Sequence, residues 1–286
     1  MSIERIERAL EIARLQRARA TEQLVAAASP PPPLVIDAEP IEPSPVTLPA
    51  ALRIAGAPAV EFAAREVLRE RYVVFPDEPG VAAQAYKMLR TQVLQRTRQH
   101  AMRCVGVISA ASGEGKSVTA INLALSLAAE STQSVVLVDL DLRRPSIART
   151  LGIEVGEGDG VEAVLTTQAP LSGALRRSAA NDRIGIVPAA APVGASSELL
   201  AGPRAAELFR ELRAIDGEPL VLVDLPPALL SDDVLALAPL LDGVVLVVTE
   251  ERTRREDVQR VFDLLRNTPV IGTVLNASAD AEKRAY

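Results

Sequence analysis

The run Ala110-Ala111-Ser112-Gly113-Glu114-Gly115-Lys116-Ser117 carries the most specific chemical signal in this sequence. Its spacing is that of a phosphate-binding loop, with Ala110 where the pattern has its first glycine. Gly113 and Gly115 let backbone N–H groups turn inward with no Cβ in the way. Those donors, with the start of the helix that follows, form a cradle for anions. Lys116 can reach the β- and γ-phosphates of a nucleotide, and the Ser117 hydroxyl can ligate magnesium. The expected nucleotide-contacting residues are Ala111, Ser112, Gly113, Glu114, Gly115, Lys116, Ser117 and Val118. A glycine-bearing surface turn is the plainer explanation. A strand candidate before the loop and a helix candidate after it argue against that.

Three carboxylates bear on the same chemistry. Val135-Val136-Leu137-Val138-Asp139-Leu140-Asp141 places two of them two residues apart, and Leu220-Val221-Leu222-Val223-Asp224 ends on a third. An extended Asp139–Asp141 stretch points both side chains to one side. Carboxylates near a triphosphate repel it unless a cation lies between them. Magnesium takes one or two carboxylates, waters and phosphate oxygens, so three carboxylates here are coherent with a bound cation. The alternative for each is a strand-ending Asp that caps the next turn. Asn276 ends the last expected strand. Its amide, both donor and acceptor, can read an adenine edge or simply form a turn.

The elements that must hold these residues are legible from about Val81. Helices are expected at 82–99, 117–130, 205–215, 232–241 and 254–266. Strands are expected at 103–109, 134–139, 184–188, 220–224, 243–248 and 270–275. Strands alternating with helices imply parallel units, and uniformly apolar strands imply burial on both faces. The expected fold is α/β, a doubly wound, mostly parallel sheet with its ligand site at the carboxyl ends of the strands. Aromatic residues are 2% of the chain and Trp is absent, so the core must be aliphatic. Ahead of this domain, 1–27 reads as a helix, imperfectly amphipathic. Residues 28–80 read as a proline-rich linker with a short ambiguous segment in which Val60–Tyr72 could be helical. The domain itself is expected at 81–276, followed by a mobile tail at 277–286.

Composition excludes several classes. A net charge of −6 gives no general pull toward nucleic acid. The single Cys104 cannot form an intramolecular disulfide, and the single His100 leaves no His-based metal site or Ser-His triad. No secretion signal or membrane span is readable, so a cytoplasmic protein is expected.

Together, AASGEGKS at 110–117, VVLVDLDLRRPSI at 135–147, VLVDLPP at 221–227, SDDVLALAPLLDGVVLVV at 231–248 and SELL at 197–200 resemble the bacterial tyrosine kinase family. These are the P-loop autokinases of exopolysaccharide and capsule export, and the resemblance covers roughly residues 82–286. Related ATPases that partition chromosomes or place the division site usually carry an extra lysine early in the loop, which Ser109–Ser112 lacks. The start MSIERIERALEIAR is similar to the exosortase-linked subgroup. The resemblance implies ATP and magnesium as cofactors, Lys116 on the phosphates, Ser117 and Asp141 on magnesium, and Asp139 as acceptor of the tyrosine proton. It implies that Asp224 completes the metal environment and that Arg143 neutralises transition-state charge or is structural. It also implies a homo-oligomer, recruited to the inner face of the plasma membrane by the cytoplasmic segment of a membrane polysaccharide co-polymerase. Two departures stand out. Gln84, Lys87 and Arg90 replace the family's Glu-x-x-Arg-x-x-Arg, used in ring assembly, and the usual terminal tyrosine cluster is reduced to Tyr286. Tyr286 is therefore the expected autophosphorylated residue, since Tyr86 falls inside a helix and Tyr72 lies in an apolar stretch that reads as packed. A non-kinase ATPase switch and a nucleotide-binding scaffold without turnover are the competing functions.

Overall fold

The computed structural model describes residues 52–130, 132–167 and 169–278. The expected N-terminal helix, most of the proline-rich stretch and Tyr286 lie outside the described residues. The described residues belong to one compact unit that begins at Pro49.

The β-branched runs of the sequence become strands because they can be buried on both sides. The strands are β1 Ala59–Val60, β2 Cys104–Ser109, β3 Val135–Asp139, β4 Arg176–Ser178, β5 Ile184–Val187, β6 Leu220–Asp224, β7 Gly243–Thr249 and β8 Val270–Asn276. Every residue of β2, β3, β5 and β6 is buried. They form one sheet in the order β1-β4-β5-β3-β6-β2-β7-β8. The six strands from β5 to β8 in that order run parallel, while β4 is antiparallel to β5 and parallel to β1.

Alternation along the strands divides the core into two layers. On one face Val136, Val138, Val221, Val223, Val244 and Leu246 pack against Leu208, Phe209 and Leu212 of α8 (Pro203–Arg213), Leu237 of α9 (Asp233–Leu237) and Val261 of α10 (Arg255–Leu264). On the other, Val105, Val107, Leu137, Leu222, Val245 and Val247 pack against Val93 of α2 (Val81–Gln99) and Ile121 and Leu125 of α3 (Lys116–Ala128). Ile147 and Leu151 of α4 (Ile147–Leu151) join that second layer. Short helices α5 (Val161–Thr166), α6 (Leu171–Ala174) and α7 (Ser196–Ala201) fill the connections. No described helix is long and apolar enough to cross a membrane.

The sheet unit starts earlier than the expected boundary at 81. Ile54, Leu68 and Val73 are buried in the two core layers, β1 extends the sheet, and α1 (Arg65–Glu70) precedes the turn into Val73. The few apolar residues that anchor 52–80 are too sparsely spaced to show a period, which is why the segment reads as linker. The stretch 232–241 is a single α-turn run only to Leu237, then a 3-10 turn at Ala238–Leu240, because Pro239 removes a backbone donor.

Asp242 ties the opposite, amino-terminal edge of the sheet. Its Oδ2 accepts the amides of Arg103 and Cys104, both at 2.8 Å, and its Oδ1 accepts Arg213 Nη2 at 2.9 Å. Burial works to raise the Asp242 pKa, but those amides and the guanidinium outweigh it and hold the carboxyl below its ordinary value. Asp242→Ala should therefore cost about 2 kcal/mol at pH 7, the loss of charge-assisted bonds. Because the folded-state pKa is depressed, the parent's advantage is complete above about pH 5. It is lost as pH falls through the folded value, below the ordinary ~3.9. Urea midpoints of both chains across that range measure it, and a gap unchanged at the acid end would show that the charge is not what binds.

Candidate nucleotide and phosphate site

Parallel pairing brings the carboxyl ends of β2, β3, β6, β7 and β8 to one edge, and the chemical residues collect there. β2 passes at Ser109 into the 110–115 loop, and α3 begins at Lys116. Gly113 and Gly115 hold φ of 78° and 86°, the left-handed region that favours glycine. At Gly115 the need is also steric, since a Cβ there would lie 2.0 Å from Asn276 Nδ2.

The loop is braced from outside. Glu114 is buried, and its Oε2 accepts the Ala111 amide at 2.9 Å while Oε1 takes the Thr253 hydroxyl. Its carbonyl accepts Thr249 Oγ1 at 3.2 Å and Asn276 Nδ2 at 3.0 Å. Arg252 Nη1 donates to the Gly113 carbonyl at 3.3 Å. The turn after β7 and the end of β8 thus fix the loop with its carbonyls directed away from the phosphate cradle. Thr249, Arg252 and Thr253 carry no motif in the sequence, so only the fold reveals them.

The charge centre lies at the start of α3. Lys116 Nζ is 2.6 Å from Asp141 Oδ2 and 3.4 Å from Asp224 Oδ1. It also donates to Ser117 Oγ at 3.2 Å. Burial opposes its charge, but Asp224 and Asp141 outweigh burial and hold its pKa above the ordinary value. Asp224 is fully buried, and burial above all raises its pKa against the pull of Lys116 and the Ser117 hydroxyl. Asp139 sits directly across the β3–β6 pair from Asp224. Burial, then the Asp224 charge, pushes its carboxyl up to about 7.

Asp139, Asp141, Asp224, Lys116 and Ser117 are thus brought together as expected, and Asp139 and Arg143 also hold neighbouring backbone and side chains. Asp139 is completely buried, and its Oδ2 accepts the Ser146 and Ile147 amides at 2.9 and 3.0 Å. Its Oδ1 accepts the Asp141 amide at 3.3 Å. A carboxylate so engaged holds the 140–147 turn. Arg143 is engaged likewise. Its Nε and Nη2 donate to the Ser196 and Ser197 hydroxyls at 3.1 and 3.0 Å, and Nε lies 3.4 Å from the buried Asp233. It is a brace between loops. Ala111 spends its amide on Glu114, leaving that donor unavailable to a phosphate.

Magnesium fits what remains. Among the described residues, no three His, Cys, Asp or Glu side chains hold a metal by themselves. Magnesium does not ask for such a cage, since phosphate and water oxygens complete its shell. Asp224 Oδ2 is buried with no hydrogen-bond partner, an arrangement that costs free energy until a donor or cation reaches it. Ser117 and Asp141 stand beside it on Lys116.

A cavity of about 950 Å³ opens beside the loop. Gly113, Gly115, Val118, Asn122, Thr249 and Asn276 line its inner side. It is roomy enough for the nucleoside part of a nucleotide whose phosphates lie on the loop. Asn276 lines it with one amide N–H spent on the Glu114 carbonyl, so a second N–H and the amide oxygen are the groups left that can meet a base.

A family model described as NUBPL iron-transfer P-loop NTPase, of the ParA group, matches residues 100–284. The tyrosine-protein kinase YwqD of Bacillus subtilis (strain 168) is 28% identical over 221 residues, 76% of this chain and 90% of that protein. The succinoglycan biosynthesis transport protein ExoP of Rhizobium meliloti (strain 1021) is 33% identical over 193 residues, 64% of this chain. This chain spans only 23% of ExoP's length. Among solved structures, the VpsO kinase domain superposes with a TM-score of 0.59 at 29% identity, over 68% of this chain and 95% of that domain.

If Asp139 acts through the turn it holds, Asp139→Asn should raise the magnesium concentration needed for half-maximal ADP binding about tenfold, one hydrogen-bonded carboxylate's worth. Asp141→Asn should do the same. Calorimetric titration of ADP at graded magnesium checks this. An Asp139→Asn chain with parental magnesium dependence would return the residue to a direct chemical role.

Proposed function

We propose, from the premise that the chain belongs to the ParA family of P-loop NTPases and within it to the bacterial tyrosine kinases, that it is an ATP- and magnesium-dependent tyrosine autokinase. The observation that carries the reading is the buried Lys116 ammonium between Asp141 and Asp224 at the mouth of the loop. A polyphosphate chain entering the cradle competes for that ammonium and releases both carboxylates to a cation. A bound magnesium would supply neutralising charge for phosphoryl transfer. Ser117 and the freed carboxylates would hold it. The chain's own contribution is positioning: loop amides orient the phosphates, Asp139 and Arg143 keep the Asp141 turn in place, and Asn276 keeps the loop against β8. Phosphoryl transfer asks for little more than this alignment and charge balance.

What supports kinase activity over an ATPase switch is the name of YwqD, a protein matched over nearly its whole length, together with the DLDLRRP segment at 139–145. ExoP, a transport protein of polysaccharide biosynthesis, supports the setting. The reading extends to a membrane polysaccharide co-polymerase as activating partner and to recruitment at the inner face of the plasma membrane. Iron transfer, named in the family description, finds no ligand set here. Clusters are held by Cys thiolates, and the one cysteine, Cys104, is buried in β2 with its thiol pushed up to about 12, by burial first.

The reading includes transfer between chains, with Tyr286 as the acceptor. Tyr86 is half-buried in α2, while Tyr286 ends the sequence ten residues past Asn276, a span of at most ~36 Å when extended. The departures on α2 bear on how chains meet. Arg90 is spent within its own chain on the Ser126 carbonyl at 3.3 Å and on Glu130 at 3.8 Å. Contacts between subunits must then come from other residues than that arginine.

The test mixes a Lys116→Met chain, unable to transfer, with a Tyr286→Phe chain, unable to accept. With ATP and magnesium, Lys116→Met alone should give no phosphotyrosine above about a hundredth of the parent, the scale of losing a phosphate-stabilising charge. The mixture should place phosphate on Tyr286 of the Lys116→Met chain, read by mass spectrometry. Hydrolysis of ATP without any phosphotyrosine would favour the ATPase switch instead.

A further inference from the structure

Tyr72 does not sit in a packed segment, as its apolar neighbours Val73, Val74 and Phe75 suggest. Its side chain is 77% exposed, while the adjacent Val73 is buried in the core. Its φ is 62°, the left-handed region that a residue with a Cβ enters only at a cost. The backbone is pinned there from both sides. The Tyr72 amide donates to the Arg69 carbonyl at 2.9 Å. Asn122, buried on the first turns of α3, donates to the Tyr72 carbonyl at 2.9 Å and accepts the Val74 amide at 2.8 Å. The phosphate-loop helix therefore holds this turn directly.

The consequence is where the ring goes. Tyr72 lines the same cavity as Gly113, Gly115, Val118 and Asn276. The chain contains only seven aromatic residues, three Tyr and four Phe. One of them is held in an unfavourable backbone conformation, is left largely exposed, and lines the cavity beside the phosphate-binding loop. Strain of this kind clusters at ligand-binding positions. An exposed aromatic face in a cavity continuous with a phosphate cradle is suited to one ligand group above others, a flat heteroaromatic base.

We propose that Tyr72 is the base-stacking residue of this site, closing over the nucleobase of a nucleotide whose phosphates lie on residues 113–117. This rests on the nucleotide reading given above and adds to it the residue that recognises the base. Asn122 is its positioning residue, setting the turn from the same helix that Lys116 begins. Stacking would bury the exposed ring and recover part of what the backbone conformation costs. The contact reads the π-face and not the edge, so Asn276 remains the group that can discriminate among bases.

The experiment compares magnesium ADP with inorganic tripolyphosphate, which has the anionic chain and no base, by calorimetry on the full chain. Tyr72→Ala should weaken ADP about tenfold and change tripolyphosphate by less than about twofold. Tyr72→Phe, which keeps the ring, should restore most of the ADP affinity lost in Tyr72→Ala. Unchanged ADP binding in Tyr72→Ala overturns the proposal. So does an equal loss for both ligands, because the residue would then act through the loop. Lys116→Met should lose both ligands. A parent chain that binds neither refutes the nucleotide reading itself, a result distinct from the failure of stacking alone.

Discussion

One buried ammonium governs this site. Asp139 and Asp224 end neighbouring strands of a parallel sheet, and Asp141 follows two residues later. All three are buried. Three carboxylates in so small and dry a space cannot all ionise against a single lysine without strong repulsion. Lys116 takes two of them, Asp139 is met by three backbone amides, and one oxygen of Asp224 is left with nothing. The arrangement is balanced by adding positive charge and not by removing a carboxylate. A divalent cation arriving with a polyphosphate would supply that charge, with Lys116 left to meet the phosphate and Ser117, Asp141 and Asp224 left to hold the cation.

That exchange requires the surrounding backbone to stay still, and the polar side chains of the carboxyl edge are spent on that task. Glu114 binds a loop amide and a hydroxyl from the next turn. Asn276 reaches from β8 to the Glu114 carbonyl. Asp139 caps the start of α4, and Arg143 links the following turn to Ser196, Ser197 and Asp233. Glu114, Asn276 and Arg143 join segments far apart in sequence while Asp139 ties a turn close to its own strand, so the site is held by a second ring of contacts. A phosphate cradle held in this way needs little reorganisation when charge develops on a transferring group.

The parts of this design differ in how far the sequence discloses them. Apolar β-branched runs and a phosphate-loop spacing are local patterns, so β2, β3, β6, β7, β8 and the residues at 113–117 can be read directly. The parallel rule then brings Asp139, Asp141 and Asp224 to the loop without any coordinates. What the rule cannot state is which way each side chain is used. An Asp at a strand end can face a ligand or cap the next helix, and the two outcomes share one local sequence. Asp224 keeps one buried oxygen unpaired while Asp139 accepts the amides that open α4, because α4 starts within reach of β3, a fact of the 140–146 turn and not of the Asp itself. Arg143 follows the same logic, since its partners lie more than fifty residues away.

The region before the domain was least legible, and the reason is physical. Residues 52–80 carry prolines and a single helical turn and a half, so neither period of secondary structure emerges. Their attachment is made by isolated apolar anchors, Ile54, Leu68 and Val73, by the short pairing of β1 with β4, by Arg71 on the Arg149 and Thr150 carbonyls, and by an amide side chain, Asn122, which belongs to another element altogether. A linker and a strap of this kind have the same composition. They differ only in whether the core leaves holes of the right size and whether a buried polar group has a backbone to bind. Asn122 is the decisive residue, because an amide buried in α3 must find a donor and an acceptor. The Tyr72 carbonyl and the Val74 amide supply both, so the phosphate-loop helix and the strap before the domain are held together by the requirement that one buried side chain be satisfied.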